Sequence, residues 1–455
     1  MTTQLVLGSS LFACVGAAAA IDAGLLGDPD RRILLQSSSA LAPELVSLPT
    51  EITGADQILT RFDRTITLND LLAPLHPHSF TPARHELAVW QRLLRRYWDL
   101  GDGPVELVLE SLAVNPSHWL AGVFHDSPIT VISDGLMSYG PTRNRLPLGV
   151  GQRLDALVHL DLVPGLSPML LREFAVPCVA VPNESVIKVF RRMVDARACP
   201  DRVRVDGVPT AVVLGQYLSA LGLLTPAEEA DLQADLVGAA IGRGARRILF
   251  KPHPASPQAS LGPVTAAARS AGVELIMVDD PAPAEVLIAQ IRPMAVVASF
   301  STALVTAGTL FDAPVIAVGT ELLLERMTPY QNSNRIPVTI IDALTRPHSP
   351  YAGPHGVQPL VDAVSYCMQP NLLAELREPA HAFWATRSAA ERARYVSRGR
   401  LSQLGLPGGV PIRPSVRRAA RRGVRSVMAS SVLAPLERRT RRTSWRRRMA
   451  RWAGN

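Results

Sequence analysis

Six side chains in this 455-residue sequence are of types, and in local settings, that could act on a hydroxyl or a phosphate. Asp134 stands in Ser133-Asp134-Gly135, directly after the apolar run 129–132. A carboxylate there can serve as general base for a substrate hydroxyl, and the following glycine allows a sharp turn that leaves the acid exposed. The same residues also describe an aspartate capping a turn. His253 sits in Lys251-Pro252-His253-Pro254, after the apolar triplet Ile248-Leu249-Phe250. Proline on both sides limits dihedral freedom and removes backbone donors, which holds the imidazole at a strand end. Beside a lysine it suits a phosphate, to which it can donate hydrogen bonds and a proton. Lys251 and Lys188 are the only lysines, against 45 arginines. The bland alternative for this stretch is a turn with a solvated histidine. Ser299, Ser301 and Thr302 fall in Ser299-Phe300-Ser301-Thr302, between an expected strand 295–298 and an expected helix 301–310. Hydroxyls and backbone N–H groups at a helix N-terminus form an anion site, and equally an ordinary helix cap.

These residues need elements to place them. Strand 4–7, the turn Gly8-Ser9-Ser10, helix 11–26 and strand 32–35 open a Rossmann-like unit of parallel strands joined by helices. The glycine spacing does not match G-x-G-x-x-G, so a dinucleotide fingerprint is absent. Helices 85–100 and 115–124 and strands 105–109 and 129–132 continue the unit. In helix 85–100, Leu87, Trp90, Leu93, Leu94 and Trp98 make one apolar face, expected to pack on the sheet. Residues 140–203 are punctuated by proline, with strands expected near 156–160 and 178–181. A linker near 201–209 leads into a second alternation, with strands 211–214, 248–250, 274–278, 295–298 and 315–318 between helices 226–243, 264–271, 284–291 and 301–310. The expected class is α/β, with two Rossmann-like domains facing a cleft, residues 1–203 and 210–375. A helical segment, 376–404, packs back on the body, and 405–455 is an arginine-rich tail, helical or disordered. In open parallel sheets ligands bind beyond the carboxyl ends of the strands, where the six residues lie.

Composition narrows the class. Length allows two or three domains, and 47% hydrophobic with 19% charged residues describes a globular chain. Four separated cysteines without a Cys-x-x-Cys pair argue against zinc and disulfide scaffolds and favour a reducing cytosol. Asp28-Pro29-Asp30 reads as a plain turn rather than a metal site. The apolar stretch 5–20 has no Lys or Arg before it and is interrupted by Gly8-Ser9-Ser10, unlike a secretory signal. No later run reaches the roughly 18 apolar residues of a membrane span.

Charge is unevenly placed. Of 47 basic and 39 acidic residues, 14 arginines and one acid fall between Arg413 and Arg451, so this segment carries +13 and the remainder −5. Val416, Ala420, Val424 and Met428 recur at i+4 among the arginines, and Trp445 and Trp452 follow. Such a stretch suits an amphipathic helix on an anionic membrane, where each basic residue contributes about 1 kcal/mol. Nucleic acid is the alternative partner of a cationic segment, and a solvated disordered tail is the bland one.

An acid from the first domain, then a histidine and a hydroxyl pair from successive strands of the second, would set a base for an acceptor opposite a phosphate site for a donor. In this order the chain resembles bacterial sialyltransferases and polysialyltransferases of the two-Rossmann-domain (GT-B) type. Their acid-acid-glycine, His-Pro and Ser-Ser/Thr motifs correspond to Ser133-Asp134-Gly135, His253-Pro254 and Ser301-Thr302. Leu214-Gly215-Gln216 and Pro283-Ala284-Glu285 also look like the polysialyltransferase family, and the likeness spans roughly residues 1–375. The resemblance implies inverting, metal-independent transfer of a sialic-acid-like sugar from a CMP-activated donor to a cell-surface glycan acceptor, with no cofactor. It gives Asp134 the acceptor hydroxyl's proton, His253 the leaving CMP phosphate, and Ser301 and Thr302 the same phosphate. Ser133 replaces the first acid, so the base role rests on Asp134. Lys251 has no motif match. Two other readings stay open: another nucleotide-sugar or polyol-phosphate transferase of surface polysaccharide synthesis, or a non-catalytic two-domain binding protein. A transferase acting on surface glycans is expected in the cytoplasm, peripheral at the inner face of the membrane.

Overall fold

The structure, a computed structural model, describes residues 1–38, 47–198, 207–253, 261–351 and 354–410. Pro254, most of the expected linker and the arginine-rich tail beyond residue 410 lie outside the described residues. The first domain is built on β1 (Thr3–Gly8), β2 (Arg31–Gln36), β3 (Arg64–Thr67), β4 (Val105–Leu109), β5 (Ile129–Ser133), β6 (Leu154–Leu160) and β7 (Cys178–Val181). They form one parallel sheet in the order β3-β2-β1-β4-β5-β6-β7. The second carries β8 (Thr210–Leu214), β9 (Arg247–Lys251), β10 (Glu274–Met277), β11 (Ala295–Ala298) and β12 (Val315–Ala317), parallel in the order β10-β9-β8-β11-β12. Helices cover both faces, so inner strands are buried throughout and read as continuous apolar runs. Among the described residues the chain is thus a two-domain α/β protein, and no helix there is long and apolar enough to cross a membrane.

Three elements differ from the sequence reading for physical reasons. Edge strand β3, Arg-Thr-Ile-Thr, buries Ile66 alone and offers no apolar run to detect. The helix Leu87–Tyr97 packs on the helix Ser117–Val123 and buries Leu94, but Leu93 is exposed together with Val89 and Tyr97. The expected apolar face is therefore narrower. The expected helical segment 376–404 is divided into short helices. Helices Arg377–Thr386 and Ala389–Tyr395 part at Ser388, whose hydroxyl accepts from the Glu391 N–H at 3.1 Å and starts the second one. The second of these helices is tied down by buried Asp342, whose carboxylate accepts from Arg394 at 2.8 and 2.7 Å and from the Tyr395 hydroxyl at 2.7 Å, besides Thr320 at 2.6 Å.

The domains dock through a helix the proline-rich stretch concealed, Asn183–Asp195. It buries Val186, Val189, Phe190 and Met193 and packs on the first domain's helix Leu11–Asp22 and the second domain's helices Ala284–Ile291 and Thr302–Phe311. Polar ties reinforce the junction: the Thr309 hydroxyl donates to the Leu162 carbonyl at 2.7 Å, and Arg197 pairs with Asp280 at 2.5 Å.

Candidate functional site

The carboxyl ends of β4 and β5 meet the N-terminus of the helix Thr302–Phe311 across a cavity of about 500 Å³. Its wall includes Glu110, Ser133 and Asp134 from the first domain and Phe300, Ser301 and Thr302 from the second. The approach is close. A Cβ added to Gly135 would lie 3.5 Å from the Thr302 hydroxyl oxygen. Gly135 itself is extended, with φ −125° and ψ 174°, so the sharp turn expected after Asp134 is not what it provides. It leaves room for the opposite domain.

The acid side is assembled from three strand ends. At the end of β1, Gly8 lets the helix Leu11–Asp22 approach closely, since a Cβ there would stand 2.5 Å from the Cys14 sulfur. Ser10 caps the helix Leu11–Asp22 by accepting from the Ala13 N–H at 3.1 Å. Ser9 points its donors elsewhere: its N–H reaches Glu110 Oε1 at 2.8 Å and its hydroxyl reaches Oε2 at 2.5 Å. Glu110 follows β4, the sheet neighbour of β5. Burial foremost, and then the adjacent Asp134 charge, push the Glu110 carboxyl up to about 7 against the opposing Ser9 hydrogen bonds. Burial also raises the Asp134 carboxyl above its ordinary value, against a backbone hydrogen bond. Two acids that share a desolvated site do not both ionise readily, so the pair retains a proton near neutrality. The sequence reading missed Glu110. The signal was present, an acid directly following the apolar strand 105–109, at the same strand-end position that singled out Asp134.

On the second domain the Ser301 hydroxyl caps its helix, accepting from the Ala303 N–H at 3.2 Å, while Ser301 and Thr302 border the cavity. The cap and the site are one feature. Ser299, by contrast, is fully buried and does not reach the cavity; its hydroxyl has no hydrogen-bond partner among the described residues. Lys251 is turned away as well, its ammonium donating to the Asp280 carbonyl. Desolvation lowers its pKa, and the Asp280 and Glu285 carboxylates oppose that. Glu285, of the Pro283-Ala284-Glu285 sequence, is buried and accepts from the Thr306 hydroxyl at 2.8 Å.

His253 follows β9, two places from β11 in the sheet, and does not border the cavity. The loop after β8 fills the interval. Gly215 lets it pass, for a Cβ there would lie 3.1 Å from the Pro252 Cα. Gln216 accepts from the Phe300 N–H at 3.3 Å and donates to the Phe300 carbonyl, and Tyr217 lies 6.4 Å from the His253 ring, centroid to centroid. Buried Glu229 holds this loop by accepting from the Leu218 N–H at 2.5 Å and the Ser219 hydroxyl at 2.6 Å. His253 is exposed, yet enough of its ring is covered that desolvation lowers its pKa, with Glu229 opposing. The strand ends of the second domain thus present a strip from Ser301 and Thr302 past Gln216 to His253.

The model of the family described as alpha-2,8-polysialyltransferase matches residues 4–320. No curated protein matches the sequence. Similar solved structures include the GT-B domain of a sialyltransferase from Photobacterium damselae, 13% identical, covering 75% of this chain and 96% of that one at a TM-score of 0.40. A UDP-GlcNAc 2-epimerase from Methanocaldococcus jannaschii is 10% identical, with 80% and 100% covered and a TM-score of 0.40. The ADP-heptose heptosyltransferase II of E. coli is 10% identical, with 70% and 84% covered and a TM-score of 0.34.

Proposed function

The chain belongs to the alpha-2,8-polysialyltransferase family, and on that premise we propose a glycosyltransferase that moves a sialic-acid-like sugar from a CMP-activated donor to a glycan acceptor, with inversion and without a metal. The observation that carries this reading is the shared cavity, with Asp134 on one wall and Ser301 and Thr302 on the other. In it the acceptor hydroxyl gives its proton to the acid side and attacks the anomeric carbon. The bond from that carbon to the phosphate oxygen breaks, and its electron pair leaves with CMP. Ser301, Thr302 and His253 hold the phosphate as it gains charge. The test is release of CMP from CMP-sialic acid in the presence of a panel of glycan acceptors, beside thermal-shift measurements with CMP, UDP and CDP. CMP release and stabilisation by CMP over the other two are expected; absence of both would sink the reading.

The tail, outside the described residues, is assigned to an anionic membrane surface, which places the enzyme in the cytoplasm at the inner face. Its 14 arginines are the support. The full chain should sediment with vesicles containing phosphatidylglycerol, and truncation after Pro411 should abolish this; equal sedimentation of both would refute the assignment.

A further inference from the structure

The motif that carries the base has Ser133 at its first acid position, and a serine hydroxyl does not take up a proton at neutral pH. The cavity nevertheless holds two carboxyl groups. We propose, resting on the glycosyltransferase reading above, that Glu110 replaces the missing acid, and that Glu110 and Asp134 form one catalytic pair that receives the acceptor's proton.

Geometry supports the pairing. β4 and β5 are neighbours in register, Leu109 opposite Val131, so the residue after β4 emerges beside the end of β5. The two carboxyls converge beneath the helix Leu11–Asp22. A Cβ on Gly16 would sit 3.7 Å from the Asp134 Cβ, and both acids act on the Cys14 thiol, whose pKa burial raises foremost. Ser9 fixes Glu110 with two hydrogen bonds, yet each carboxylate oxygen retains a further acceptor site. A second acid from a neighbouring strand thus occupies the cavity that the replaced motif residue borders. In the reaction the pair enters fully ionised, the form reached as pH rises through about 7, and gains one proton from the acceptor O–H as the new C–O bond forms. It returns that proton to solvent after CMP departs.

The experiment uses the full chain with CMP-sialic acid and a glycan acceptor. Glu110→Gln, which preserves an acceptor for the Ser9 N–H, should lower kcat at least about tenfold. It should also remove the pH limb near 7, and leave the donor KM and the CMP-induced thermal shift unchanged. Ser9→Ala provides a second variant. Loss of its hydroxyl hydrogen bond, with the backbone N–H bond kept, raises the pair's pKa, so the limb should move to higher pH; a merely structural serine would change kcat without moving it. An arm without activity separates the pairing from the reaction. A carboxyl raised in the native state binds protons more tightly than in the unfolded chain, so stability falls as pH rises from 4.5 to about 7. Denaturant midpoints of the parent should show that fall, and Glu110→Gln should flatten it. If the parent releases no CMP, the glycosyltransferase reading fails while this arm still decides the pairing. An unchanged pH profile in Glu110→Gln, or a parent midpoint independent of pH, overturns the pair.

Discussion

Asp134→Asn should lower kcat by about 10²–10⁴, the usual contribution of a positioned general base, while the protein still folds and still binds CMP. The amide keeps the shape of the carboxyl and removes its capacity to accept a proton. Folding should survive because Asp134 is half-buried at a strand end and borders a cavity rather than filling a core. CMP binding should survive because the proposed phosphate contacts, Ser301, Thr302 and His253, come from the other domain. The split matters. A loss of kcat with an unchanged CMP thermal shift marks a residue of the chemical step, whereas a joint loss marks damage to the cleft. The pH dependence has a definite sign. Because burial raises both carboxyls, the parent should lose activity as pH falls through roughly 7 rather than near 4, the ordinary range of a carboxylate. Ser133→Ala, which removes no titrating group, should leave this limb in place. Turnover by Asp134→Asn equal to the parent's would remove Asp134 from the mechanism.

The architecture was legible because inner parallel strands are continuous apolar runs; 295–298 was anticipated residue for residue, and 105–109 likewise. Edge strand β3 escaped because a strand half in solvent needs no such run. The docking helix Asn183–Asp195 escaped because its surroundings are rich in proline, although Val186, Val189, Phe190 and Met193 recur at helical spacing. At the site, motif order pointed to Asp134, Ser301 and Thr302, and the fold places all three on one cavity. Local sequence could not show that Ser299 faces the core or that the Lys251 ammonium turns to Asp280, since side-chain direction at a strand end depends on which helix covers it. Nor could it show that Ser9 reaches Glu110 across 101 residues of chain. That contact joins the ends of β1 and β4, neighbours only once the strand order is known.

His253→Ala should weaken CMP binding about 10–100-fold, the worth of a charge-assisted hydrogen bond, and lower kcat by about 10²-fold where the leaving phosphate takes a proton. In the unliganded protein desolvation holds the imidazole below its usual 6.5, so at pH 7 it is neutral. A bound phosphate reverses the balance, because a dianion nearby favours the imidazolium. Binding of CMP must then take up a proton around neutral pH, and CMP affinity must fall as pH rises through that interval. Calorimetry of CMP binding in buffers of different ionisation enthalpy measures the uptake directly. The parent should absorb a fraction of a proton at pH 7 and His253→Ala none. The comparison also tests the strip along the second sheet, for Gln216→Ala frees the Phe300 backbone and should weaken CMP binding without changing proton uptake per CMP bound. If the parent binds CMP with no uptake at any pH between 6 and 8, His253 is not on the phosphate, and the donor site ends at Ser301 and Thr302.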